Sequence, residues 1–302
     1  MQNNSELAAF CDEQSIPYVK AQPMSNYTTF KIGGRAELII KPCTTQQVMA
    51  VASFCHSAGL QPIIIGNGSN LLVCDAGIKQ PVLYIGAGIS ELHIDGETLC
   101  CGAGASLVKL CTFAAENSLS GLEFAYGIPG NVGGAVFMNA GAYDGEMKHI
   151  VASVSAVSPQ GELKTFTAEE CKFTYRHSIF ADNGFCITDV KFKLHSGDKA
   201  KIRQRMDELM MRRTEKQPLE YPSGGSTFKR PQSGYASALI DDCGLKGRSV
   251  GGAKVSEKHA GFLINYRGAM CADMLSLIKL VQDEVKQKTG VALECEVKYI
   301  GE

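Results

Sequence analysis

The stretch GLEFAYGIPGNVGGAVFMNAGAYDGEM, residues 121–147, sets Gly127, Gly130, Gly133, Gly134, Gly141 and Gly145 among apolar side chains. Glycine reaches positive φ and lets backbones approach closely, at an entropic cost. An ordinary surface loop would be more polar than this. Buried backbone lying against a flat, extended ligand of the dinucleotide kind accounts for both features. Close strand packing against glycine is the alternative. A second cluster, IIIGNGSNLL, puts Gly66 and Gly68 directly after an apolar run, with Ser69 and Asn70 as side-chain donors. Successive N–H groups there can converge on an anion, or the glycines can serve a tight turn. The spacing is not G-x-G-x-x-G, because Leu71 stands sixth, and no G-K-[ST] follows to make a P-loop. Two separate clusters suit a diphosphate held from two sides.

The chain has 302 residues, room for two domains or for one with a smaller appendage. Lys+Arg is 30 and Asp+Glu is 31, so no general charge bias draws it to nucleic acid or to an anionic membrane. The twelve cysteines are scattered, with no C-x-x-C pair, and Cys100 and Cys101 are adjacent. The start, MQNNSELAAF, lacks the basic and apolar regions of a signal peptide. No run of about 18 apolar residues occurs. A reducing cytoplasm is expected, with cysteines acting as small buried apolar residues. The six histidines lack zinc-like spacing, so no metal site is expected.

Along the chain, AELIIKP (36–42) reads as a strand stopped by Pro42. Residues 44–59 read as a helix capped by Thr44 or Thr45 and ended by Gly59, with Val48, Val51, Ala52 and Cys55 on one face. A short buried strand at 61–66 leads into the first glycine cluster. From about 81 a second unit follows, with short apolar strands, a helix near 105–118, the second glycine cluster and a strand at 185–194. HSGDKAK (195–201) reads as a polar linker. Beyond it lie a helix with Ile202, Met206, Leu209 and Met210 on one face, the loop GGSTFKRP, a short helix near 236–243 and the strand GFLIN. A long helix at 272–288 carries the stripe Met274, Leu277, Ile278, Val281 and Val285. ALECEVKYIG closes the chain as an alternating strand. An α+β enzyme of more than one domain is the natural class.

Eight motifs occur in order: NYTTFKIGG (26–34), GNGSNLL (66–72), GIPGNVGGA (127–135), NAGAY (139–143), YRHS (175–178), GGSTFKRP (224–231), AGFLIN (260–265) and LECEVKYIG (293–301). Together they span nearly the whole chain, and in them the sequence resembles the UDP-N-acetylenolpyruvoylglucosamine reductase family. The resemblance implies a two-subdomain FAD-binding region of the vanillyl-alcohol-oxidase (PCMH) type, with subdomains at 1–80 and 81–196. A smaller α+β substrate-binding domain at 200–290 is implied, with the terminal strand 291–302 returning near the active site. The implied FAD contacts are Gly66, Asn67, Gly68, Ser69, Asn70, Leu71, Gly127, Pro129, Gly130, Gly133, Gly134, Ala135, Asn139 and Gly141. The family has two subtypes, and the longer carries an inserted loop with a tyrosine that closes over the substrate. Residues 196–220 leave little room for that insertion, so the chain looks like the shorter subtype.

The implied reaction passes hydride from NADPH through flavin to the methylene carbon of an enolpyruvyl ether, UDP-N-acetylglucosamine enolpyruvate. The product, UDP-N-acetylmuramate, feeds peptidoglycan synthesis. Negative charge develops beside the carboxylate, so the site needs charge stabilisation and a proton donor. By resemblance Arg176 and Glu296 stabilise the intermediate and Ser226 donates the proton. A guanidinium grips a carboxylate bidentately. A glutamate would help if protonated or sharing a proton. By the residues alone, Arg176 could be a surface ion pair, Glu296 the solvent face of the last strand, and Ser226 a turn or N-cap serine. Tyr143, Tyr175, Arg213, Lys216, Lys229 and Arg230 are the substrate-side candidates, and some family members carry an amide residue where Arg230 stands. For the basic ones, a solvated helix end is the simpler alternative. The expected partners are small molecules, the enolpyruvyl substrate and NADPH, with a monomeric chain. Two other readings compete. One is a different FAD-linked oxidoreductase of the same superfamily, and the other a UDP-sugar or flavin binding protein without catalysis.

Overall fold

The computed structural model describes residues 2–96, 98–232 and 234–301. The chain divides into two compact units. The first comprises Met1–Lys20, Leu38–Asn67 and Gln80–Arg212; the second comprises Ala21–Glu37, Gly68–Lys79 and Arg213–Glu302. Among the described residues, no helix is long and apolar enough to cross a membrane.

The first unit contains helices α1 (Gln2–Glu13), α2 (Thr45–Ser57), α3 (Leu107–Glu116), α4 (Val132–Phe137) and α5 (Phe180–Asn183), and most of α6 (Lys199–Lys216). Local chemistry sets the helix starts. Thr44 Oγ1 accepts from Gln47 N–H at 3.2 Å, and Ser106 Oγ accepts from Lys109 N–H at 3.2 Å. Strand Ile63–Ile65 pairs in parallel with Val82–Tyr84, which also pairs in parallel with Ile39 and Ile40, so Val82–Tyr84 lies between the two. The larger sheet has the order Leu163–Thr167, Val151–Val157, Cys186–Lys193, Thr98–Gly102, Leu92–Asp95, all antiparallel. Its apolar face and the stripes of α2 and α3 meet in one core that includes Val51, Leu99, Leu110, Val154, Val190 and Phe192. Burying each such side chain contributes about 1.5–3 kcal/mol before entropy is counted.

The polar segment 195–201, expected as a linker, is instead structured. His195–Ser196 pairs with Leu119–Ser120. Asp198 Oδ1 then accepts from Ala200 N–H at 2.8 Å and Lys201 N–H at 3.2 Å. Its polar residues are a strand end and a helix cap, which have the composition of a linker and the opposite role.

The second unit contains α7 (Ala236–Asp242) and α8 (Cys271–Thr289), which pack with the antiparallel sheet Ser249–Val250, Ala253–Val255, Leu263–Asn265. The stripe Met274, Leu277, Ile278, Val281 and Val285 is buried as expected, against Phe30, Leu72, Phe228 and Ile240. The closing segment is not one strand. Lys298–Ile300 pairs in parallel with Leu71–Val73, while Cys295 bridges to Phe228. The chain changes partner at Val297, which is buried. Most cysteines are buried thiols, as expected, and burial pushes Cys55 and Cys186 up to about 12. They stay protonated and unreactive at neutral pH.

The N-terminus of α8 is held from a distant part of the sequence. Asp75 accepts from Cys271 N–H at 2.7 Å and from Ala272 N–H at 3.0 Å. Gly290, at φ 75°, ends the helix with its N–H on the Lys286 carbonyl. Asp75→Ala is expected to cost about 1–2 kcal/mol, the usual loss of a helix cap. A urea melt followed by circular dichroism reads this as a lower midpoint with the slope unchanged; an unmoved midpoint would show that Asp75 is dispensable.

Candidate active site

In the first unit, Gly66 of the first glycine cluster and the second cluster converge. The segment 103–105 carries backbone hydrogen bonds on both edges. Ala103 N–H donates to Thr188 O at 2.8 Å, Gly104 N–H to Ile89 O at 2.7 Å, and Ala105 N–H to Gly102 O at 3.0 Å. On the other side Gly133 N–H donates to Ala103 O at 2.8 Å, Val132 N–H to Ala105 O at 2.9 Å, and Leu107 N–H to Gly130 O at 3.0 Å. This ladder fixes the loop Gly130–Gly134. Asn131 joins it to the first cluster: its Nδ2 donates to Ile85 O at 3.1 Å, and its Cβ lies 3.6 Å from where a Cβ on Gly66 would stand. The sequence reading passed over Asn131 and the stretch GAGAS (102–106). The small residues of that stretch were the available signal.

The glycines fall into two kinds. Gly68, in the second unit, has φ 60°, and a Cβ there would sit 2.0 Å from the Tyr27 carbonyl oxygen, so packing alone demands glycine. At Gly104 a Cβ would sit 1.8 Å from Gly86 O. Gly66 and Gly134 lack the left-handed φ and have no such neighbour: around Gly134 nothing lies within 4 Å. A helical glycine costs about 1 kcal/mol relative to alanine. At Gly134, which lies in α4, open backbone kept at that cost leaves a space that a Cβ would fill, and a flat cofactor lying on the loop would require such a cradle.

Arg176 stands at the tip of a tight turn. Thr174 and His177 exchange backbone hydrogen bonds at 3.0 and 3.3 Å, leaving Tyr175 and Arg176 between them. Arg176 has φ 56°. Its guanidinium lies 5.0 Å from the Tyr175 ring centre and donates to the Gly141 carbonyl at 3.4 Å. The structure thus brings Arg176, Tyr175, Asn139 and Gly141 together. Tyr143 follows two residues on, at φ 50°. Glu146 pairs with Lys148 at 2.8 Å. The hydrogen bonds from Lys148 and Asn139 hold the Glu146 carboxyl below its ordinary value.

In the second unit, residues 227–229 run between two other segments. Thr227 N–H donates to Gly261 O at 2.9 Å, and its Oγ1 accepts from Leu263 N–H at 3.2 Å. On the other edge Glu296 N–H donates to Thr227 O at 2.8 Å and Lys229 N–H to Glu294 O at 2.8 Å. Ser226 is therefore one residue along from the Thr227–Glu296 pairing. It is exposed, and its side chain makes no hydrogen bond among the described residues. The two glycines before it act differently. A Cβ on Gly224 would sit 2.4 Å from the Phe30 ring, whereas Gly225 is open at φ 78°. Glu296 is half-buried, not on an open solvent face, and Asn70 Nδ2 donates to its carbonyl at 3.1 Å.

The basic candidates are dispersed in their contacts. Arg213 is buried and its Nη1 donates to Gln217 Oε1 at 3.1 Å, while Lys216 is exposed. Lys229 forms an ion pair with Glu294. The Arg230 guanidinium lies 4.2 Å over the Tyr235 ring. Among the described residues, no group of three or more His, Cys, Asp or Glu could hold a metal ion.

The family model described as FAD binding domain matches residues 36–167, which carry the segment 103–105, the loop Gly130–Gly134 and Gly66. The chain is thus an FAD-binding protein of mixed α and β structure. The model for the C-terminal domain of UDP-N-acetylenolpyruvoylglucosamine reductase matches residues 217–300. The reductase of Clostridium botulinum is 46% identical over 281 residues, covering 93% of this chain and 92% of that protein. The reductase of Agathobacter rectalis is 47% identical over 293 residues, covering 93% of each. The crystal structure of the reductase from Thermus caldophilus aligns with a TM-score of 0.81 at 34% identity, over 95% of this chain and 99% of that one. The chain belongs to the UDP-N-acetylenolpyruvoylglucosamine reductase family and is an oxidoreductase.

Gly134→Ala separates the two kinds of glycine. It is expected to leave the protein without cofactor as stable as before, or more stable by up to about 1 kcal/mol, and to weaken FAD retention. Gly68→Ala is expected to lower stability in the same cofactor-free protein. Thermal melts with and without added FAD, read beside the yellow absorbance of each purified variant, check both. A Gly134→Ala variant that keeps full flavin content removes the cradle argument.

Proposed function

We propose that this chain catalyses the NADPH-dependent, FAD-mediated reduction of UDP-N-acetylglucosamine enolpyruvate to UDP-N-acetylmuramate, in the cytoplasm, for peptidoglycan precursor synthesis. The observation that carries the reading is family membership at 46% identity over 93% of the chain. FAD, when bound, supplies hydride transfer from NADPH to the enolpyruvyl methylene carbon. The residues proposed to hold it are Gly66, Asn67, Gly127, Pro129, Gly130, Gly133, Gly134, Ala135 and Gly141, with Gly68, Ser69, Asn70 and Leu71 following in the chain; Asn139, expected among them, is wholly buried and spends its side chain inside the protein. The division into FAD-binding subdomains at 1–80 and 81–196 and a substrate domain at 200–290 is kept as part of the same proposal.

The chain's own groups then have distinct work. Arg176 grips the substrate carboxylate, and its hydrogen bonds strengthen as charge moves onto that end of the substrate. Ser226 delivers a proton to the carbon beside the carboxylate. A hydroxyl is a weak acid, but its partner is a strongly basic carbon, and a donor held in place needs little extra driving force. What supports this role is a hydroxyl left exposed on a backbone clamped from both edges. Glu296, half-buried on the same ladder, is suited to sharing a proton with the developing charge. Tyr143, Tyr175, Arg213, Lys216, Lys229 and Arg230 are the proposed contacts to the UDP-sugar, as a monomer.

Ser226→Ala is expected to accept electrons from NADPH at the normal rate and to lose reoxidation by the enolpyruvyl substrate by about 10²–10⁴-fold, the range for a general acid. Anaerobic stopped-flow spectroscopy separates the two steps. Normal reoxidation of the variant would refute the proton-donor role. Failure of the wild type to be reoxidised by this substrate would refute the substrate.

A further inference from the structure

Asn139 is wholly buried, at 0% exposure, with a left-handed backbone at φ 42°. Asparagine tolerates that conformation better than most residues. Both ends of its side chain are used inside the protein. Nδ2 donates to the Thr174 carbonyl at 2.9 Å and to Glu146 Oε2 at 3.0 Å, and Oδ1 accepts from Lys148 N–H at 2.9 Å. Two acceptors at one end and a donor at the other fix the orientation of the carboxamide. A side chain with no accessible surface and every partner already inside the protein has nothing to offer a cofactor.

What it does hold is the turn that carries Arg176. The Thr174 carbonyl accepts from Asn139 and also from His177 N–H, so one oxygen both closes the turn and anchors it. Ser178 Oγ donates to Phe137 O at 2.7 Å on the far side of the turn. Arg176 at φ 56° is a conformation that its own sequence does not favour, and such residues persist where their surroundings hold them.

We propose that Asn139 is a positioning residue for Arg176: its buried carboxamide fixes the Thr174 carbonyl, and through it the turn that aims the guanidinium, without touching the cofactor. This rests on the reading of Arg176 as the group that binds the substrate carboxylate. Glu146 and Lys148 support it indirectly, since their ion pair holds the carboxylate that receives the second N–H of Asn139.

The test is a double-mutant cycle on the FAD-loaded enzyme, with Asn139→Gly, Arg176→Ala and the two combined. Glycine keeps the left-handed backbone comfortable and removes the side chain alone. Asn139→Asp, which keeps shape and sets a carboxylate against two acceptors, provides a second cycle should the glycine variant fail to fold. Three readouts are taken: flavin content, the rate of flavin reduction by NADPH, and the rate of reoxidation by UDP-N-acetylglucosamine enolpyruvate. Each Asn139 variant is expected to keep its flavin and its reduction rate and to lose reoxidation by about 100-fold, the scale of a misaimed group. The double variant is expected to be no slower than Arg176→Ala alone, because a positioning residue has nothing to act on once its target is gone. Losses that multiply in the double variant would assign Asn139 a general structural role and overturn the proposal. So would reoxidation at the wild-type rate, or loss of flavin from Asn139→Asp. If Arg176→Ala itself is reoxidised normally, the reading of Arg176 falls and the inference with it; if only the Asn139 variants behave normally, that reading stands and the inference alone falls.

Discussion

Backbone meets backbone at residues 103–105 with no side chain between, and the first unit's glycine loops are placed by that contact. Ala103 bonds to Thr188 on one edge and Gly133 on the other, and Gly104 leaves no space for one carbon against Gly86. The consequence is that the loop Gly130–Gly134 inherits the rigidity of the five-stranded sheet. A loop tied this way presents its open glycine, Gly134, at a fixed place. Precision of that kind is easier to build on paired backbone than on free loops.

The second unit solves the same problem with the same device. Residues 227–229 are clamped by 261–263 on one edge and by 294–296 on the other, and Asn70 holds the Glu296 carbonyl. Ser226 sits immediately outside the clamp, where the backbone is fixed and the hydroxyl is not. Gly224 is needed because the Phe30 ring occupies the space a Cβ would take, and Gly225 because φ is positive. The pair of glycines before the serine thus has two separate causes, one steric and one conformational.

Amphipathic helices were legible from spacing alone. The buried stripes of α2 and α8 are the ones periodicity gives, and Thr44 caps where expected. What failed were inferences from polarity. HSGDKAK has the composition of a linker, yet its polar atoms are spent on a strand end and a helix cap, because a cap needs the same residues a linker uses. ALECEVKYIG alternates like one strand, yet it serves two partners in turn, and alternation carries no information about which strand lies alongside. Helix α1 was not read, although Leu7, Ala8 and Cys11 form a buried face. At the proposed site, the glycine clusters stand out as motifs, whereas the roles proposed for Arg176, Ser226 and Glu296 come from the family resemblance and not from the residues alone. Asn131 lies inside the motif GIPGNVGGA, but its contacts could not be read there, since they are to Ile85 and Gly66, far away in sequence.

The distribution of backbone strain adds an argument independent of the motifs. Among the described residues nine non-glycine residues have positive φ, and Asn139, Tyr143, Asp144, Lys172 and Arg176 make up five of them. All five lie in the first unit, between residues 139 and 176. Left-handed backbone costs a non-glycine residue roughly 1–2 kcal/mol, and it survives where surrounding contacts over-determine it. Here those contacts can be named: Asn139 to Thr174, Ser178 to Phe137, Glu146 to Asn139 and Lys148. Strain held by so many local bonds fixes the backbone that carries Arg176, and a guanidinium proposed to meet a carboxylate on both of its nitrogens would need a fixed direction.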